Sequence, residues 1–206
     1  MSKIRFTEPN REILARRDSI INDLTRLVDP AGLITSTDEC RAYETDALTA
    51  YRKMPLAVVL PKTTEEVSAV LKYCHDTGVK VVPRGAGTSL AGGAIPSEDA
   101  VVLGLSKMNR VLAVNYDDRF IRVEAGVTNL SVTAVVAENG FSYAPDPSSH
   151  LACTIGGNIA NNSGGAHCLK YGVTTNNLLG VRMVLIDGSI IDLGGDYLDS
   201  AGLDLL

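Results

Sequence analysis

The chain has 206 residues, 45% hydrophobic and 21% charged, the apolar content of a globular protein with a sizeable core and room for one domain or two small ones. Its formal net charge is −5 and it carries no basic run, which excludes the electrostatic footprint of a nucleic-acid binder or of a protein that grips anionic membranes. The four cysteines, Cys40, Cys74, Cys153 and Cys168, form no CxxC pair and match no zinc-ligand spacing, which argues against a metal site or a dithiol redox centre and for reduced thiols in a cytoplasmic protein.

Met1 is followed by Ser2, Lys3 and a charged stretch rather than an apolar leader, and no apolar run approaches the length of a membrane span. Residues 12–28 set Ile13, Leu14, Ile20, Ile21, Leu24, Leu27 and Val28 on one helical stripe, with Gly32 as a stop. Ser36 and Glu39 read as the capping box of a second short helix that carries Tyr43 toward Asp46 and Tyr51, three residues taken as packing and capping groups. Residues 1–54 are thus a helical lead-in, closed near Pro55.

From 55 to 206 short β-branched runs alternate with helical patterns. Ala57, Val58, Val59 and Leu60 read as a strand stopped by Pro61. Thr63 and Glu66 cap a helix with Val67, Val70, Leu71 and Cys74 at helical spacing, Gly78 closes it, and residues 79–82 form a second strand parallel to the first. Further strands are predicted at 101–105 and 120–125, a helix at 128–139 ended by Gly140, and a hairpin at 181–193 turning at Asp187 and Gly188. The class is mixed α and β, with no internal repeat.

Two loops carry the chemistry. The first, residues 83–93, follows a strand directly and is Pro83, Arg84, Gly85, Ala86, Gly87, Thr88, Ser89, Leu90, Ala91, Gly92 and Gly93. Its glycines let the backbone turn N–H groups into a concave nest and approach an anion closely, so a pyrophosphate can be held without a lysine cluster. It is neither a dinucleotide fingerprint, which would need glycine at Leu90, nor a P-loop, which would need Lys-Ser where Gly93 and Ala94 stand. Taken alone, it reads equally as a glycine-rich turn with no ligand.

The second loop, residues 144–165, is long, small in its side chains and almost uncharged, a composition that stabilises no core and points to function. Its backbone amides, hydroxyls and Asn side chains suit the carbonyls and ring nitrogens of an isoalloxazine. His150 and His167 flank it and are read as residues that hydrogen-bond their neighbours; His75 is read as a helix-end residue. Cys153 and Cys168 are read as buried small residues.

Four segments in order, RGAGTSLAGGA at 84–94, PDPSS at 145–149, TIGGNIANNSGG at 154–165 and HCLKYG at 167–172, resemble the FAD domain of the vanillyl-alcohol-oxidase-type (PCMH-type) flavoenzymes, the likeness covering residues 40–206. Within that superfamily the chain most resembles the D subunits of bacterial glycolate oxidases and the FAD-linked D-lactate dehydrogenases. The resemblance implies an α+β fold, a PCMH-type FAD-binding domain of two α+β subdomains behind the N-terminal helical segment. It implies that Pro83, Arg84, Gly85, Ala86, Gly87, Thr88 and Ser89 cradle the pyrophosphate. Pro147, Cys153, Thr154, Ile155, Gly156, Gly157, Asn158, Asn161, Ser163 and Gly164 would line the flavin, with Tyr171 and Gly172 closing the site. Members with covalent flavin commonly have histidine where this chain has Thr88, so FAD bound without a covalent bond is implied.

The same resemblance implies oxidation of a small 2-hydroxy acid such as glycolate or D-lactate by hydride transfer to FAD. Electrons would pass to flavin and iron-sulfur partner subunits, in the cytoplasm or at the inner membrane through those partners. Relatives continue past Asp204, Leu205 and Leu206 into another flavin-contacting segment and a substrate domain, so the chain is expected to be C-terminally truncated and no catalytic residue is named. If strands of the same sheet lie beyond, an unpaired edge results. Three readings stay open: a hydroxy-acid dehydrogenase, a flavin-binding module completed by another chain, and an inactive truncated fragment.

Overall fold

The computed structural model describes residues 7–196 and Leu206; the start at Met1 and the Asp204 and Leu205 end lie outside the described residues. The predicted lead-in helix is two short helices, α1 (Arg11–Ala15) and α2 (Arg17–Leu24), broken at Arg16. Both ends of α1 are tethered: Asn10 N donates to Asp99 Oδ2 at 2.8 Å and the Arg16 guanidinium reaches Thr77 O at 3.5 Å. The break still leaves Ile13, Ile20, Leu24 and Val28 buried on one side. Strand β1 (Leu33–Ile34) and helix α3 (Thr37–Cys40) follow, the helix capped by Ser36, whose Oγ accepts from Glu39 N at 3.3 Å.

Strand β2 (Ala57–Val59) leads into α4 (Thr64–Thr77), which has the caps expected from its sequence: Thr63 Oγ1 accepts from Glu66 N, and Gly78 takes the left-handed conformation at φ 73°. After β3 (Lys80–Arg84) comes β4 (Ala100–Gly104). The sheet order is β1-β2-β4-β3, with β2 and β3 each parallel to β4 and β1 antiparallel to β2. So β2 and β3 are parallel, as predicted, but not neighbours.

Every residue of β2 and β4 is buried, which explains their unbroken apolar runs: a parallel strand covered on both faces has no reason to alternate. Ala57, Val59, Val101 and Leu103 face one cluster with Val67, Val70 and Cys74 of α4 and with Ile13, Ile20 and Leu24 of the lead-in. Val58, Leu60 and Val102 face the other way, toward Cys40, Ile34 and Tyr43. The lead-in therefore covers both faces of the sheet.

Strands β5 (Val111–Asn115) and β6 (Phe120–Val123) pair antiparallel. The sequence reading missed β5, whose register is irregular between Val111 and Ala113 and whose first two side chains are exposed. Helix α5 (Asn129–Val136) is capped by Thr128 and ends through a 3-10 turn at Gly140. Segment 144–165 is not one loop, because its second half folds as α6 (Ile155–Asn161), capped by Thr154. Two glycines make that helix weak by propensity; tertiary partners for its first amides override the propensity. A short helix α7 (Cys168–Tyr171) and the predicted hairpin, β7 (Gly180–Val184) with β8 (Ile190–Gly194), complete the order. The hairpin turn rests on α4, where Ser68 Oγ donates to Gly188 O at 2.5 Å, and Arg122 of β6 pairs with Asp196 just past β8.

One buried carboxylate fastens the sheet. Asp99, 1% exposed, meets Lys80 Nζ at 2.8 Å and the Asn10 amide at 2.8 Å. Burial opposes its ionisation, but Lys80, Ser97 and the backbone amides outweigh that and hold its pKa at about 2, below the ordinary 3.8. A depressed folded pKa means that this stabilisation is complete above 3.8 and is lost as pH falls toward 2. Urea unfolding should find Asp99→Asn less stable than the parent near about pH 7, with the gap closing between about pH 4 and about pH 2. A gap that does not vary with pH would show that the charge is not what Asp99 contributes.

Candidate functional site

The glycine loop leaves the C-terminal end of β3, and its position is set by the strand that precedes it. Among the described residues, none of the backbone N–H groups of residues 85–90 donates to a protein acceptor. Gly87, at φ 72°, turns the chain there. Six consecutive amides are thus left for something other than protein, in a segment with no lysine.

Helix α6 stands against this loop. A Cβ on Gly85 would lie 2.6 Å from Thr154 Oγ1 and 3.8 Å from Gly157 Cα, so the two segments touch only because residue 85 has no side chain. The start of α6 is fastened beside the start of α5: Thr128 and Thr154, the two N-caps, form an antiparallel bridge, with Asn129 N donating to Cys153 O and Ile155 N to Val127 O. Gly156 N donates to Ala125 O at 2.9 Å, Gly157 N to Thr154 Oγ1 at 3.2 Å and Asn158 N to Thr154 O at 2.8 Å. The first-turn amides of α6 are therefore all committed, and Gly156 and Gly157 pack toward Ala125 and Thr154. Asn158 is 1% exposed, and its Nδ2 has no hydrogen-bond partner among the described residues.

The remaining predicted site residues occupy the turns on either side of α6. Pro147 O accepts from His150 N at 2.7 Å and lies 3.2 Å from His150 Nδ1, so this histidine bonds its own turn. Pro145 O accepts from the buried Asn129 side chain at 2.9 Å. Cys153 is buried, as predicted, but Cys168 is only half-buried and its Sγ accepts from Gly165 N at 2.9 Å, closing the turn into α7. Asn161 Nδ2 donates back to Gly157 O, and Ser163 O accepts from both Thr174 N and Thr174 Oγ1. His167 Nε2 stands 3.4 Å from Asp146 Oδ2, and Tyr171 packs edge-on against the same imidazole. Gly164 leaves room for Cys168 Sγ and Val173, and Gly172, at φ 76°, for Asn176. Gly85 with Thr154 and Gly157 is brought together directly; no hydrogen bond among the described residues joins 163–172 to the loop 85–90.

The lead-in also reaches the loop, which sequence reasoning did not anticipate. Arg84 Nη1 donates to Thr45 O at 2.7 Å, its guanidinium lies 5.5 Å from the centre of the Tyr43 ring, and Ala47 N donates to Gly87 O at 2.9 Å. Burial lowers the Arg84 pKa, while Tyr43 and the buried Asp46 act to support its charge. The signal available in the sequence was the Tyr43 to Asp46 stretch itself, read there only as packing.

A loop of unpaired amides packed against a helix of small residues is the arrangement of a nucleotide-cofactor site, and comparison with known proteins decides which cofactor. A family model of the FAD binding domain matches residues 55–194. The chain belongs to this family. It is 48% identical over 190 residues to glycolate oxidase subunit GlcD of Escherichia coli strain K12, covering 92% of this chain and 38% of that protein. It is 40% identical over 190 residues to a D-lactate dehydrogenase of Archaeoglobus fulgidus, covering 91% of this chain and 42% of that one. The chain thus spans about two fifths of the length of these curated relatives. Among solved structures, an alkyldihydroxyacetonephosphate synthase superposes with a TM-score of 0.81 at 21% identity, over 98% of this chain and 38% of that one. A p-cresol methylhydroxylase with substrate bound superposes at 0.77 and 19% identity, over 96% and 39%. At that identity the two structures speak for the α+β fold alone. FAD is the cofactor of the family, and the free amides of the loop and the unpaired Asn158 Nδ2 fit it.

The contact at Gly85 is open to a direct test. Gly85→Ala should lower stability by roughly 1–3 kcal/mol in urea unfolding, because the added methyl meets the Thr154 hydroxyl that caps α6. Gly93→Ala, where a Cβ would meet nothing within 4 Å, should be nearly neutral. Equal effects from the two would mean that the loop is not packed on α6.

Proposed function

We propose that this chain is the cofactor-binding part of a flavin-linked oxidoreductase that oxidises a small 2-hydroxy acid, such as glycolate or D-lactate, to the 2-oxo acid. The observation that carries this reading is the row of six amides at 85–90 without protein acceptors, set against α6 in a chain 48% identical to a glycolate oxidase subunit. Bound FAD supplies the hydride acceptor. The amides of residues 85–90 hold its diphosphate, since backbone dipoles at a glycine nest bind phosphate without formal positive charge. Gly156 and Gly157 let α6 sit close against Ala125 and Thr154, which sets it beside the ring system, and Asn158 Nδ2 offers the ring a buried donor.

Pro147, Cys153 to Ile155, Asn161, Ser163, Gly164, Tyr171 and Gly172 complete the flavin surroundings in this reading. Thr88 is not a nucleophile suited to a flavin linkage, which supports non-covalent binding. None of the residues described is assigned the base that takes the hydroxyl proton. The name of one relative, a glycolate oxidase subunit, supports assembly with partner subunits, to which electrons would pass in this reading, and the unpaired cysteines support a cytoplasmic setting.

The test is the visible spectrum of the purified chain after incubation with FAD and desalting, followed by acid precipitation. Retained yellow colour that acid releases into the supernatant is expected, with glycolate or D-lactate then bleaching the bound flavin in the whole protein. A colourless chain refutes the cofactor site; colour that stays in the acid pellet refutes the non-covalent mode.

A further inference from the structure

The inference rests on the proposed FAD site and concerns what shapes its loop. Arg84 begins the glycine motif and so invites assignment as a phosphate ligand. Its guanidinium is engaged elsewhere: Nη1 donates to Thr45 O at 2.7 Å and the Tyr43 ring covers it at 5.5 Å. Gly87 curls over the same group so closely that a Cβ there would collide with the guanidinium, and Ala47 N pins Gly87 O at 2.9 Å. Asp46, between Thr45 and Ala47, is 4% exposed, with one carboxylate oxygen on Leu48 N at 2.9 Å and the other unpaired among the described residues.

We propose that residues 43–47 of the lead-in and Arg84 form a clamp that fixes the shape of the pyrophosphate loop, so that Arg84 is a positioning residue for FAD rather than a phosphate ligand. The guanidinium acts as the former over which residues 84–87 are folded. The Thr45 carbonyl and the Tyr43 ring hold that former in place from outside the segment matched by the family model, which begins at residue 55. Six amides converge on a phosphate only if the backbone between them is fixed before binding; a loose loop loses that affinity as ordering entropy. The lead-in is thereby a functional part of the cofactor site.

The test measures FAD dissociation constants by flavin fluorescence across a range of ionic strength, with thermal unfolding of the FAD-free protein alongside, for Arg84→Met, Arg84→Lys, Tyr43→Leu and Tyr43→Phe in the full chain. A clamp predicts weakening of about tenfold for Arg84→Met, because pre-organisation and not a contact is lost. It also predicts partial recovery with Lys, weakening with Tyr43→Leu but not with Tyr43→Phe, and a double variant less impaired than the product of the two. The ionic-strength dependence should match the parent's, since no charge facing phosphate has been removed. An Arg84→Met protein that binds as the parent does overturns the clamp, as does one whose salt dependence flattens without coupling to Tyr43, the signature of a direct ion pair. Should Arg84→Met not fold, the contrast between Tyr43→Leu and Tyr43→Phe decides the matter alone. A parent that binds no FAD removes the site and the clamp together, whereas FAD binding lost in Gly85→Ala and kept in Arg84→Met leaves the site standing and refutes only the clamp.

Discussion

The site depends on two backbones coming closer than any side chain permits. Gly85 lies where a methyl group would stand 2.6 Å from the Thr154 hydroxyl, and that hydroxyl is the cap of α6. One contact therefore joins the end of the parallel sheet to the start of the helix in the second half of the chain. Behind it the approach is repeated, since a Cβ on Gly156 would sit 2.8 Å from the Ala125 side chain. Glycine in these positions serves proximity more than flexibility, because neither residue has positive φ.

The two segments then divide the polar work. Helix α6 spends its first-turn amides on Val127, Ala125 and its own Thr154, which fixes where it stands. The glycine loop keeps its amides free and is held from behind by Arg84 and Ala47. In the proposed reading a chain of net charge −5 holds a doubly charged linker in this way, with oriented peptide dipoles at short range in place of cationic side chains. Had α6 kept its amides free instead, both the anchoring of the helix and the shape of the cradle would be lost.

Elements whose ends carry their own chemistry were legible in the sequence. Thr63, Glu66 and Gly78 bracket α4, Thr128 and Gly140 bracket α5 and its final turn, and Asp187 with Gly188 turns the hairpin. The motifs at 84–94 and 154–165 point to FAD from the sequence alone. What stayed hidden was set by partners distant in sequence. Helix α6 reads as a loop because IGGNIAN has poor propensity, and it forms because Ala125 and Val127 take its amides. Strand β5 has two exposed residues and a broken register, so its period never shows. Nothing local tells that Ala47 meets Gly87, since forty residues separate them, and nothing local places β4 between β2 and β3.

That last placement bears on how the molecule comes to be made. In the sheet order β1-β2-β4-β3 the central strand is the last of the four in the chain. Until residue 104 has left the ribosome, β3 has no strand of this sheet to pair with, and β2 has only the two-residue β1 beside it. The nascent chain can form α4 early, from its own caps, but the apolar β2 lacks its parallel partner until β4 is made. Insertion of β4 completes the sheet in one event, pairing five residues with β3 and three with β2. The same event carries Gly104 into register with Arg84, so the foundation of the glycine loop is laid only when the last strand arrives.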